Sequence, residues 1–243
     1  MRKPTLVLLH GVGLDHTMWE PSVELLADRF TLVTPDLPGH GRNRPAPAGT
    51  TLEDLALGVA AGIPRKSHLV GFSLGALVAQ YLALHQPDLV ATLTSVSSVC
   101  RRTPAEREEV LNRLDTARAD FTAATAASLQ RWYADTGVPA EWVSRTEATL
   151  LGNDVESFLH CYRVFATADA TLGPHLHRIT APAVAVTGEN DPGSTPAMTR
   201  RLAAALPNCR AVIVPGARHM LPVQSPETLV DCVTTLIRDN THG

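Results

Sequence analysis

The sequence of 243 residues lacks several features that would each have pointed to a function. No apolar run reaches the roughly 18 residues a membrane-crossing helix needs; the stretch at 77–84 is interrupted by Gln80 and closed by His85. No block of like charge exists. The 21 basic and 24 acidic residues give a formal charge of -3, and Lys and Arg gather no further than the pairs Arg101-Arg102 and Arg200-Arg201. That balance argues against nucleic acid as a partner. The four cysteines, Cys100, Cys161, Cys209 and Cys232, lie far apart without a C-x-x-C. They suggest neither a zinc site nor a disulfide framework, so reduced thiols and no metal are expected. The opening MRKPTLVLLHG has two positive charges but a short apolar run and no small-residue cleavage site. A protein of the cytoplasm is therefore expected, with neither membrane nor export signal.

What is present is enough apolar material to fold. At 44% hydrophobic and only 16 Gly, the chain is neither disordered nor collagen-like. At this length a single core buries roughly 70–75% of the surface of the unfolded chain, with room for an insertion. Short apolar runs at 5–11, 30–36, 68–72, 92–99, 182–188 and 210–216 read as buried parallel strands. Helical patterns at 20–28, 52–62, 74–85, 196–206 and 226–237 alternate with them, which predicts an α/β fold with a mostly parallel sheet of about six strands and helices on both faces. From 101 to 176 the rhythm breaks: apolar positions recur at helical spacing and no strand is apparent. The expected organisation is a core of residues 1–100 and 177–243 with a helical cap of 101–176, over the carboxyl ends of the strands, where open α/β sheets bind ligands.

The strongest chemical signal is GFSLG, 71–75, which follows a strand and opens a helix. This is the setting of a nucleophile elbow, with Ser73 as nucleophile. A serine hydroxyl needs a base, and the base needs a carboxylate to orient it. Of ten histidines, His219 in PGARHM follows the last strand and should emerge at the same sheet edge as Ser73. His85, His175, His177 and His242 read as solvated or structural. Asp191, in GENDPGS after the fifth strand, is the expected acid. Its rivals are Glu189, nearer the strand end, and Asp154, within the insertion; SVSSVC after the fourth strand offers no carboxylate. The backbone amides of Val12, in HGVG, and Leu74 are expected to form an oxyanion hole. His10 reads as a bonded loop residue, and Asp36 and His40 of DLPGHG as parts of a turn.

Taken together, LHGVG, DLPGHGR, GFSLG, GENDPGSTP and PGARHM resemble the α/β-hydrolase fold family, over nearly the whole chain except the insertion. The resemblance implies a hydrolase with a Ser-His-Asp triad and no cofactor. Within the family, the short cap and QRWY, 130–133, are similar to 3-oxoadipate enol-lactonases and short carboxylesterases. The chain opens at what should be the family's third strand, so the two leading strands are expected to be missing. Leu77 and Val78 stand where the menaquinone-pathway lyase would place Arg. Serine at the nucleophile position argues against dehalogenases and epoxide hydrolases.

The expected substrate is a small carboxylic ester or lactone, opened through an acyl-enzyme. The alternatives are a cofactor-free lyase or carbon-carbon hydrolase on the same triad, or a ligand-binding receptor on a hydrolase scaffold. In the cap, Arg131 and Trp132 are candidates to bind a substrate carboxylate and ring. Adjacent helical residues point about 100° apart, so a solvated Arg131 and a Trp132 packed in the cap are equally open. Nothing in the sequence speaks to oligomeric state.

Overall fold

A computed structural model describes residues 3–240; His242 lies outside the described residues. Six strands form one sheet: β1 (Thr5–Leu9), β2 (Thr31–Val33), β3 (Ser67–Phe72), β4 (Val90–Val96), β5 (Ala183–Gly188) and β6 (Cys209–Val214). Their order is β2-β1-β3-β4-β5-β6 and every pairing is parallel. β3 and β5 are buried at every position, which is why they read as unbroken apolar or small-residue runs rather than alternating ones.

Two strand ends differ from the sequence reading for identifiable reasons. β2 stops at Val33, because Pro35 follows closely and has no N–H to give to the ladder. β4 ends at Val96 because Ser97 takes a left-handed backbone, φ 46°, which no serine announces.

Helices flank the sheet. α1 (Glu20–Leu26) packs on the last helix, α10 (Pro226–Asn240), and α10 packs on β4 and β5. α2 (Leu52–Ala60) packs on α3 (Leu74–His85), which rests on β3 and β4, and α8 (Pro196–Ala205) rests on β5 and β6. A short helix, α9 (Leu221–Gln224), follows His219. α3 buries every residue except Tyr81 and His85, consistent with its lack of a polar face. α2 is fixed at its start by a capping box between Thr51 and Asp54.

Between β4 and β5 the described chain forms four α-helices, a 3-10 helix (Gly173–Arg178) and no strand: α4 (Pro104–Ala119), α5 (Phe121–Tyr133), α6 (Ala140–Leu151) and α7 (Val155–Leu172). A second capping box, Thr103 with Glu106, starts α4. Charged and polar ties hold the segment in place. Asp169, 2% exposed, accepts from the Arg102 amide at 2.8 Å, from Arg102 Nη1 at 2.7 Å and from Arg107 Nη2 at 2.9 Å. Arg201 of α8 holds both carboxylate oxygens of Glu106, at 2.9 and 2.7 Å. Asn153 donates to the Gly13 carbonyl at 2.8 Å, which ties the turn between α6 and α7 to the loop after β1.

The reversal of strand order between β2-β1 and β3 onward leaves a crevice at the carboxyl ends of β1 and β3. Open α/β sheets place their ligands at such a switch point.

Candidate active site

Ser73 sits in the turn from β3 into α3 with φ 54° and ψ −111°, a conformation that costs a non-glycine residue on the order of 1–3 kcal/mol. The surrounding glycines permit it: a Cβ on Gly71 would run into the Gly75 carbonyl, and one on Gly75 into the Leu9 carbonyl. The Ser73 amide donates to the Val96 carbonyl at 2.9 Å, which fixes the turn against β4. The spacing of GFSLG is therefore the steric condition for bringing strand, turn and helix this close.

His219 follows β6 and is 5% exposed. Its Nδ1 lies 2.7 Å from Asp191 Oδ2. Asp191, 3% exposed, is itself held: Oδ1 accepts from the amides of Gly193 and Ser194, both at 2.9 Å, and Oδ2 from Thr187 Oγ1 at 3.2 Å. The imidazole ring lies against Phe72, with centroids 5.0 Å apart, and under the Trp132 indole, at 5.4 Å and 29° between planes. Ser97 Oγ donates to the His219 carbonyl at 3.0 Å, a use for its strained backbone that sequence reasoning missed.

Ser73 and His219 share the wall of one cavity of about 310 Å³, with Val12, Arg131 and Trp132 also on it. Sheet-end residues Val12, Ser73, 192–194 and His219 form one side, and α4 to α7 the other. Leu74 is fully buried and opens α3, so its amide has no intrahelical acceptor. The Val12 amide has no protein acceptor among the described residues. Arg131 and Trp132 both face the cavity despite adjacency in sequence: Trp132 covers His219, and Arg131 donates to Ser128 Oγ at 2.7 Å. Sequence reasoning missed the further cavity residue Arg113, because helical periodicity marks a buried face without saying what it faces.

The rival residues serve other ends. Glu189 accepts from the Gly216 amide at 3.0 Å, joining two loops, and Asp154 caps α7 through the Ser157 amide. Asp36 accepts from the amide and ring of His16, which hold its carboxyl below the usual range against the opposing effect of burial. His40 donates from Nδ1 to the Pro38 carbonyl, and burial pushes its pKa down. Neither lines the cavity of Ser73. His10 accepts the Leu37 amide at Nε2, 2.8 Å, and so donates from Nδ1 to the Gly11 carbonyl, also 2.8 Å. Burial, reinforced by nearby His40, lowers its pKa to about 3. A neutral His10 thereby pins the loop carrying Val12 to the loop after β2. His85, His175 and His177 are exposed.

Residues 6–232 match the model of a family described as the alpha/beta hydrolase family. An (E)-2-((N-methylformamido)methylene)succinate hydrolase of Acinetobacter baylyi is 29% identical, over 91% of this chain and 86% of its own. A pimeloyl-[acyl-carrier protein] methyl ester esterase of Yersinia pseudotuberculosis is 32% identical, over 97% and 93%. Among solved structures, the enol-lactonase of Burkholderia xenovorans LB400 superposes with TM-score 0.88 at 26% identity, covering 98% of this chain and 92% of that one.

Proposed function

The chain belongs to the alpha/beta hydrolase family, and from that membership we propose that it is a cofactor-independent serine hydrolase cleaving a small carboxylic ester or lactone. The observation that carries this reading is the orientation of His219: its Nδ1 is engaged by an Asp191 that three donors hold in place, which leaves Nε2 for the cavity wall that Ser73 shares. The names of the relatives, a methyl ester esterase and an enol-lactonase, agree with acyl transfer to serine.

In this mechanism Ser73 Oγ adds to the acyl carbonyl while His219 Nε2 takes the hydroxyl proton. Asp191 keeps the imidazole in the Nδ1–H tautomer and stabilises the imidazolium. The carbonyl oxygen becomes an oxyanion facing the amides of Val12 and Leu74, at the positive end of α3. Collapse of the tetrahedral adduct breaks the acyl–oxygen bond, and His219 returns the proton to the leaving oxygen. Water then gives a proton to His219 and adds to the acyl-Ser73 ester, and Ser73 departs with that proton.

A fluorophosphonate probe tests the reading. The expected result is one adduct per folded chain, on the tryptic peptide containing Ser73, prevented by Ser73→Ala or by prior denaturation. A folded wild-type protein that stays unlabelled would favour a ligand-binding role on the same scaffold.

A further inference from the structure

The amide of Val12 ends a chain of hydrogen bonds that begins outside the Ser73 cavity, in the helical segment. Residues 11–14 form a tight turn closed by the Leu14 amide on the Gly11 carbonyl at 3.2 Å. Gly13 takes its third place at φ 73°, a backbone that favours glycine. The Gly11 carbonyl and the Val12 N–H belong to one trans peptide and point in opposite directions. Holding the carbonyl therefore aims the N–H. Two donors hold it, the Leu14 amide and His10 Nδ1, the latter at 2.8 Å. The Leu14 N–H in turn shares its peptide with the Gly13 carbonyl, and that carbonyl accepts from Asn153 Nδ2 at 2.8 Å. The order is thus Asn153, the Gly13–Leu14 peptide, the Gly11–Val12 peptide, and then the cavity on whose wall Val12 stands.

The orientation of Asn153 follows from its surroundings. Its Nδ2 also lies 2.9 Å from the Thr149 carbonyl and 3.0 Å from the Leu150 carbonyl, at the end of α6. Three carbonyl acceptors around one end of the side-chain amide require that end to be the NH2 and not the oxygen. The segment also presses on the same turn: a Cβ on Gly13 would stand 2.7 Å from Phe158 Cε2 and 2.8 Å from Leu150 Cδ2. Both side chains pack on bare backbone there, and both line the cavity. Asn153 does not line it, so it acts on a bound substrate only through the turn. We infer that Asn153 is a positioning residue for the reaction: through this side chain the helical segment holds and polarises the peptide whose Val12 N–H meets the oxyanion. Each bond in such a chain strengthens the next, because donation to a carbonyl makes the N–H of the same peptide a better donor. This inference rests on the hydrolase reading above and assigns part of the oxyanion donor's placement to a residue outside the cavity.

The test follows kcat and KM for p-nitrophenyl acetate, and inhibition by an aryl trifluoromethyl ketone, whose adduct with a serine carries an oxyanion. In Asn153→Asp an acceptor faces the Gly13 carbonyl where a donor is needed, and in Asn153→Ala the donor is gone. Both are expected to lower kcat about tenfold, short of the roughly 10²–10³ lost with an oxyanion donor itself, and to leave KM within about twofold. Affinity for the ketone should fall by the same factor as kcat. Asn153→Gln, which keeps the amide on a longer stem, should recover part of both losses, and its comparison with Asn153→Asp carries the test should Asn153→Ala fail to fold. Arg201→Met removes a different tie of the segment, to Glu106, and is expected to leave kcat and ketone affinity unchanged. Values of both within about twofold of wild type in the Asp and Ala variants, whatever their Tm, overturn the positioning role. So does an equal loss in Arg201→Met, which would make the effect one of loosening the segment. A wild type that neither turns over esters nor reacts with a fluorophosphonate overturns the hydrolase reading and this inference with it, whereas wild-type turnover with unaffected variants overturns this inference alone.

Discussion

Ser73, Asp191 and His219 were legible as candidates one by one because each stands in a recognisable place: a strand-to-helix turn flanked by glycines, and two loops just past strand ends. What supports them was not legible. His10 is one loop histidine among ten in the sequence, yet in the fold it is neutral, doubly bonded and buried beside the Val12 loop. Its depressed pKa has a consequence for stability. Between about 3 and 6.5 the unfolded chain binds a proton at His10 that the folded chain refuses. This contribution is therefore complete above about 6.5 and is lost as pH falls through that window, by up to about 1.4 kcal/mol per pH unit. His10→Asn, which does not titrate, should be less stable than wild type at pH 7, and the difference in Tm should narrow by pH 4.5. A difference in Tm that is constant with pH would show that His10 is not held neutral.

At the scale of elements, β1, β3, β4 and β5 announced themselves because sheet residues covered on both faces have no polar alternation to confuse the reading. The four helices between β4 and β5 were visible as helices, but which of their residues meet the cavity depends on how α4 to α7 pack, and no local pattern encodes that. Asp169 shows the difficulty. In sequence it is one charge in a long amphipathic helix; in the fold it holds Arg102 and Arg107 and so anchors the start of α4 to α7. Removing one member of a buried ion pair strands the other, at about 3–5 kcal/mol. Asp169→Asn should lower the unfolding free energy by an amount of that order in urea titrations monitored by circular dichroism. A loss below about 1 kcal/mol would mean that the arginines find water or other partners, and that the anchor is not needed.

For the molecule as a whole, the strand order sets the crevice beside Ser73 at the carboxyl ends of β1 and β3, and the helical segment between β4 and β5 supplies the opposite wall. The sheet side of the cavity contributes Ser73, His219 and Val12; the helical side contributes Arg113, Arg131 and the Trp132 indole over His219. This division explains why the candidate triad could be read from motifs and the residues of the helical wall could not. At strand ends backbone geometry restricts the residue, while on helix faces many side chains satisfy the fold. The central claim is that Ser73 is the nucleophile of ester or lactone hydrolysis. Its most direct measurement is kcat/KM of Ser73→Ala on any ester the wild type turns over, with Tm recorded alongside. A fall of about 10³–10⁶ at unchanged Tm is predicted. Activity retained within about tenfold of wild type would contradict the account.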